Sequence, residues 1–90
     1  MKYYVVINEW NYPTESGRSF IGDYDSKEEA FYVSEEEYNE EYNNFLEVNK
    51  GKIYHKTSGR SEDGYILNSS EFKEKNMYFL SRVIEVKMFI

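Results

Sequence analysis

The first segment of the chain alternates apolar and polar positions with the two-residue period of a β-strand. Over residues Lys2 to Tyr12 one face collects Tyr3, Val5 and Ile7, and the other collects Tyr4, Val6, Asn8, Trp10 and Tyr12. This period, together with many β-branched and aromatic side chains, predicts a strand. Turn-forming residues at 13–17 precede a shorter apolar run at Arg18 to Asp23. The two runs predict an N-terminal β-hairpin.

A helical period replaces this alternation after Asp25. Ser26 followed by Glu29 matches a capping box, and Tyr24 is placed to pack on Ala30 one turn later. On a helical wheel an apolar stripe falls within about 60°, formed by Phe31, Tyr38, Tyr42 and Phe45. Residues 49–51 (NKG) match a glycine-type helix end. These signals predict one amphipathic helix whose aromatic stripe faces the core.

The opposite side of this helix is acidic. We call it the acidic ridge, and it consists of Glu29, Glu36, Glu40 and Glu47, with Glu28 and Glu37 on its flanks and Val33 exposed among them. At a rise of about 1.5 Å per residue, successive ridge carboxylates recur every ~6 to 10 Å. The spacing predicts a regular line of negative charge.

The remaining apolar runs are again of β type. Lys52 to Lys56 and Gly64 to Asn68 predict a second hairpin around the polar loop at residues 57–63, and Met77 to Ile90 predicts a final long strand. The element order is then β-β-α-β-β-β. It predicts an α+β fold in one compact domain, 1–90, with an antiparallel sheet of about five strands and the helix packed on one face.

One helix covers one face of such a sheet. The other face must then be polar, used by a partner, or packed against a second copy of the chain, and the two-sided apolar content of the first and last strands favours coverage. There is no cysteine, so stability must come from the packing of aromatic and aliphatic side chains.

The net charge of −6 is divided unevenly along the chain. Between Asp23 and Glu47 ten carboxylates accompany one cation, Lys27. An ordinary solvent-facing helix mixes signs, because an oppositely charged pair one turn apart stabilises it by about 0.2 to 0.5 kcal/mol and a like-charged pair costs a similar amount. Such an unbalanced surface repels nucleic acid and anionic lipid and attracts basic partners.

No motif points to catalysis, a metal or a cofactor. The only histidine is His55, and no cysteine is present to act as a nucleophile. The segment 23–25 (DYD) resembles the opening of a calcium loop, but Lys27 and Glu28 stand where an oxygen ligand and a glycine are required. The glycines do not follow a phosphate-loop spacing. We therefore expect a non-enzymatic protein without a cofactor.

The leading hypothesis is a small acidic inhibitor that imitates the charge of a nucleic acid and blocks a basic DNA- or RNA-handling protein. The expected contact residues are Glu29, Tyr32, Glu36, Glu37, Glu40, Glu47 and Tyr12. Acidic inhibitors of bacteriophages and mobile elements that disarm CRISPR or restriction enzymes have surfaces of this type, an analogy of surface and not of motif. No direct nucleic-acid binding is expected.

Two alternatives come from other classes of protein. One is an adaptor or a self-associating protein, such as a homodimer, that uses the uncovered sheet face. The other binds a small ligand in a tyrosine-lined pocket. Because no apolar run is long enough for a signal peptide or a membrane span, a cytoplasmic location away from membranes is expected in each case.

Overall fold

The computed structural model describes residues 2–12, 15–46, 58–68 and 77–87. These residues form five strands and one helix, which confirms the predicted α+β class and element order. The elements are β1 (Lys2–Asn11), β2 (Ser16–Tyr24), α1 (Lys27–Asn44), β3 (Gly59–Ser61), β4 (Gly64–Leu67) and β5 (Tyr78–Lys87).

The strands form one antiparallel sheet in the order β2-β1-β5-β4-β3. Its centre is the long pair of β1 with β5, which runs from Lys2 opposite Lys87 to Asn11 opposite Tyr78. The register of β1 with β2 shifts between Val6 and Ile7. The shift is a β-bulge, a local insertion that re-aims the side chains of the bulged strand.

Helix α1 lies on one face of the sheet, and two groups of buried side chains form beneath it. The first group contains Val6, Ala30, Phe31 and Val83. The second group contains Phe45, Leu67 and Phe79, with Tyr38 and Tyr42 packed against it. The predicted aromatic stripe of the helix is therefore its core-facing side, as expected from its period.

The predicted start of the helix is confirmed. The Ser26 hydroxyl oxygen accepts a hydrogen bond from the backbone N–H of Glu29 at 3.1 Å, which satisfies one of the free donors of the first turn. The expectation for Val33 was wrong. Its side chain is half-buried and packs against the Val6 group, because β2 widens the sheet under that side of α1.

The predicted polar loop at residues 57–63 contains a short strand. Strand β3 occupies Gly59–Ser61, and the two-residue turn at Glu62 and Asp63 connects it to β4. Gly64, directly after the turn, has a φ of 147°, and Gly59 at the start of β3 has a φ of 115°; both values lie in a region that favours glycine.

Three predictions about other segments lie outside the described residues. They are the strand at Lys52 to Lys56 with His55, the helix end at residues 49–51, and the last three residues of the strand predicted to reach Ile90.

The sheet face away from α1 is largely apolar. By alternation and cross-strand pairing it carries Tyr3, Val5 and Ile7, all half-buried, and Phe20, which is 65% exposed. Glu9 lies on the same face, 3.9 Å from Arg18 and 3.8 Å from Arg82. Within the described ranges no helix is both long and apolar enough to cross a membrane.

Candidate functional site: the carboxylates of the helix and the adjoining pocket

The described members of the acidic ridge, Glu29, Glu36 and Glu40, are exposed on the side of α1 away from the sheet. The fourth member, Glu47, lies outside the described residues. Within residues 2–12, 15–46, 58–68 and 77–87, the ion pairs are Lys2 with Glu85 and the contacts of Glu9 with two arginines. In this part of the chain the ridge carboxylates are therefore not neutralised by a contacting cation.

Two cations near the beginning of α1 lie against an aromatic ring. The Nζ atom of Lys27 lies 5.9 Å from the centroid of the Phe31 ring, and the guanidinium carbon of Arg60 lies 4.5 Å from it. Both distances are within the range of cation–π attraction. These two charges lie beside the first turns of the helix.

Three further carboxylates of α1 accept hydrogen bonds from neutral side chains of the sheet. The pairs are the Tyr12 hydroxyl to Glu41 at 2.9 Å, the Asn8 amide nitrogen to Glu37 at 2.9 Å, and the Tyr65 hydroxyl to Glu35 at 3.0 Å. A neutral donor orients a carboxylate without cancelling its charge. Three carboxylates beside the ridge, including its flank residue Glu37, are thus held in place and remain negative.

The two tyrosines of the predicted contact set differ in environment. Burial, then the neighbouring Glu41 carboxylate, raises the pKa of Tyr12 far above its ordinary value. Tyr32 is 64% exposed, and the Glu36 carboxylate raises its pKa as hydrogen-bond acceptor and as negative charge. Tyr32 therefore shares the exposed side with the ridge, whereas Tyr12 and Glu37 lie on a flank.

That flank borders a pocket of about 390 Å³ between the β1–β2 hairpin and the second half of α1. Its walls include Asn8, Trp10, Tyr12, Glu37, Glu41 and Phe79. We call it the hairpin pocket. The sequence prediction did not single it out, although Asn8 stood among apolar residues on the face that proved to be the core side.

Asn8 is only 8% exposed, and its side-chain oxygen accepts no hydrogen bond from the described residues. Most buried polar groups have a partner, so a buried amide oxygen without one requires an explanation. Nearby, the Ser34 hydroxyl donates to the backbone oxygen of Ser81 at 2.8 Å, which ties the helix to the central strand. Beneath the middle of α1, buried polar side chains therefore lie among the apolar ones.

Among the described residues, no group of three or more histidine, cysteine or acidic side chains is arranged to hold a metal ion. The fold and these sites define a two-layer α+β protein with an acidic helix surface and an adjoining acceptor-rich pocket. No family model matches the chain, and comparisons with curated proteins and with solved structures find no match either.

Proposed function

We propose that this protein is a non-enzymatic inhibitor whose acidic ridge occupies the basic groove of a DNA- or RNA-handling protein. It would compete there with the nucleic acid for lysine and arginine side chains. The observation that supports this proposal is the exposure of Glu29, Glu36 and Glu40 on one side of α1, with no ion pair to any of them among the described residues.

The hydrogen-bonded carboxylates beside the ridge give the proposal a second support. Because Asn8, Tyr12 and Tyr65 hold three neighbouring carboxylates in place, a partner need not order these side chains on binding. Immobilising a flexible side chain costs about 0.5 to 1.5 kcal/mol at an interface, so this cost is met in folding. CRISPR and restriction enzymes of a host cytoplasm are the targets we would test first.

Charge reversal on the ridge tests this function. The variant carries Glu29→Lys, Glu36→Lys and Glu40→Lys, and its matched control carries Asp23→Lys, Glu62→Lys and Asp63→Lys. All six positions are exposed, and both variants change the net charge equally. Circular dichroism checks that each variant folds.

The measurement begins with capture of binding proteins from a host extract at low salt, followed by calorimetry on each purified partner. The ridge variant is expected to weaken binding at least about 100-fold, since removing buried interfacial charge contacts costs several kcal/mol. The control variant should change binding less than about threefold. The partner's nucleic acid should displace the protein, and binding should weaken as salt rises.

Equal losses in the two triple variants would show that only net charge matters, and would count against a defined ridge. Binding that survives ridge reversal with the same salt dependence would exclude the proposal.

A second candidate function is self-association or adaptor binding through the sheet face away from α1. The exposure of Phe20 beside half-buried Val5 and Ile7 favours it. Sedimentation at several concentrations and salt levels separates the two functions. A dimer that is insensitive to salt and is lost in Phe20→Ser would support this second candidate.

A further inference from the structure

The hairpin pocket presents an excess of hydrogen-bond acceptors. Glu15, Glu37 and Glu41 line it, and its described lining includes no lysine, arginine or histidine. Glu37 and Glu41 are one helical turn apart, an arrangement of like charges that disfavours the helix. The pocket is therefore a region of negative potential between two packed elements.

The orientation of the Asn8 amide adds an acceptor to the same pocket. Its nitrogen donates to Glu37 at 2.9 Å, and the reversed amide would place its oxygen against that carboxylate. The oxygen is therefore the atom left without a donor among the described residues, in a side chain that is only 8% exposed and lines the pocket. Because the oxygen has almost no accessible surface, a ligand that donates hydrogen bonds would reach it from the pocket after a small shift of the Asn8 side chain.

Aromatic rings provide the remaining walls. Trp10, Tyr12 and Phe79 line the pocket, and the Tyr12 hydroxyl already donates to Glu41. Aromatic faces attract cations, most strongly when the cation is flat and weakly hydrated. A guanidinium group has five donors, no acceptor and a planar shape, so it complements both the carboxylates and the rings.

We infer that the hairpin pocket binds a guanidinium group, supplied either by a free guanidino compound or by an arginine side chain of a partner. The site shares Tyr12, Glu37 and Glu41 with the surroundings of the acidic ridge, but none of the ridge residues Glu29, Glu36 and Glu40 lines it, so the two proposals can be tested separately.

Trp10 is the only tryptophan of the chain and reports directly on this pocket. The experiment titrates the full chain with ethylguanidinium, N-acetyl-arginine amide and the uncharged isostere N-acetyl-citrulline amide, following Trp10 fluorescence and its indole N–H signal. Both guanidinium probes should give saturable changes with Kd in the millimolar range, as expected of small ligands. The citrulline probe should bind at least about tenfold more weakly, because it lacks the charge.

The two guanidinium probes distinguish the sources. Tighter binding of ethylguanidinium indicates a free compound, and tighter binding of the arginine derivative indicates a side chain of a partner. Equal binding of the citrulline probe, or no saturable change with either guanidinium probe, would overturn the inference.

Glu41→Gln and Glu35→Gln form a matched pair of variants. Each carboxylate accepts a hydrogen bond from a tyrosine, but only Glu41 lines the pocket. Glu41→Gln should weaken guanidinium binding at least about fivefold, and Glu35→Gln less than about twofold. Equal effects would show that general electrostatic attraction, and not a site, holds the probe.

The Asn8 oxygen is tested with Asn8→Leu, and Ser81→Ala is its control. Ser81 is also buried, and its hydroxyl lacks a partner among the described residues, but it does not line the pocket. Asn8→Leu should weaken binding and Ser81→Ala should not; the reverse result would contradict the site. If Asn8→Leu fails to fold, the Glu41 and Glu35 pair still decides the question.

Neutralising the ridge with Glu29→Gln, Glu36→Gln and Glu40→Gln should weaken binding of the guanidinium probe less than Glu41→Gln does, because the ridge carboxylates are exposed to screening solvent and do not line the pocket. A larger loss would count against a site confined to the pocket. Loss of partner binding through the ridge and loss of guanidinium binding in the pocket are therefore separate results.

Discussion

The contacts that the sheet makes with carboxylates of α1 and the contacts on its opposite face handle charge in different ways. Where a side chain contacts a helix carboxylate across the two layers, the donor is neutral, as in Asn8 with Glu37 and Tyr12 with Glu41. On the opposite face, Glu9 lies close to two arginines. The first arrangement keeps the negative charge of the helix. The second cancels charge between neighbouring strands, as the Lys2–Glu85 pair also does at one end of the helix-covered face.

The faces also differ in how deeply their apolar side chains are buried. Val6 and Leu67 are fully buried beneath the helix, whereas Phe20 on the other face is 65% exposed. A register slip of one residue would move buried side chains into solvent, so burial under α1 specifies the pairing of the strands. Burial on the helix-covered face therefore contributes more to the stability of the fold than Phe20 does on the opposite face.

The largest expected effect comes from Leu67→Ala. Leu67 is fully buried and packs with Phe45 and Phe79, so its truncation should lower the free energy of unfolding by about 2 to 5 kcal/mol. Chemical denaturation measures the change. Phe20→Ala on the other face should cost less than about 1 kcal/mol. Similar losses in both variants would mean that something also covers the second face.

An intermediate effect is expected from Tyr12→Phe, which removes the hydroxyl that donates to Glu41. The loss should be about 0.5 to 1.5 kcal/mol by denaturation at neutral pH, as for a typical hydrogen bond. Tyr32→Phe, on the exposed side of α1, should leave stability unchanged and serves as the control. An equal loss in the control would show that the Tyr12–Glu41 hydrogen bond is not the cause of the loss.

The raised pKa of Tyr12 adds a pH dependence to this comparison. Because its folded pKa lies above the ordinary value of 10.0, the stabilisation is complete below pH 10 and is lost as the pH rises further. One such group contributes a slope of up to about 1.4 kcal/mol per pH unit in that range. The slope should be shallower in Tyr12→Phe, and an unchanged slope would exclude Tyr12 as its source.

The smallest effect is expected from Glu9→Gln on the opposite face. The Glu9 side chain is only 12% exposed, but its contacts with Arg18 and Arg82 are long and these side chains are 77% and 42% exposed, so solvent screens the pair and the loss should be about 1 kcal/mol. Raising NaCl to about 0.5 M should shrink the difference from the parent protein, because salt screens exposed charges. A loss as large as that of Leu67→Ala would show that the ion contacts also determine the fold.

Local patterns predicted most of the fold. The alternation of β1, the capping residues Ser26 and Glu29, and the aromatic stripe of α1 each depend on a few neighbouring residues. The exposure of Glu29, Glu36 and Glu40 follows from the same helical period. These features could be read from the sequence because each is set within one element.

The sequence did not reveal features that depend on which elements meet. Strand β3 lies in a segment without apolar residues, and forms by pairing with β4. Val33 is half-buried because β2 lies near its side of the helix. Asn8 acquired its significance only when α1 placed Glu37 against it. Each case depends on the tertiary arrangement, which neither the intrinsic propensities of the residues nor the periodicity of a single element reveals.

The strand order has a consequence for how the molecule folds. The central pair joins β1 to β5, so residues as distant as Lys2 and Lys87 must meet before either strand is flanked on both sides. Closing so long a loop is entropically costly, and contacts of high sequence separation slow folding. During synthesis, β1 would pair with β2 on one edge and remain unpaired on the other until β5 had left the ribosome. Misassembly would begin at that unpaired edge of β1.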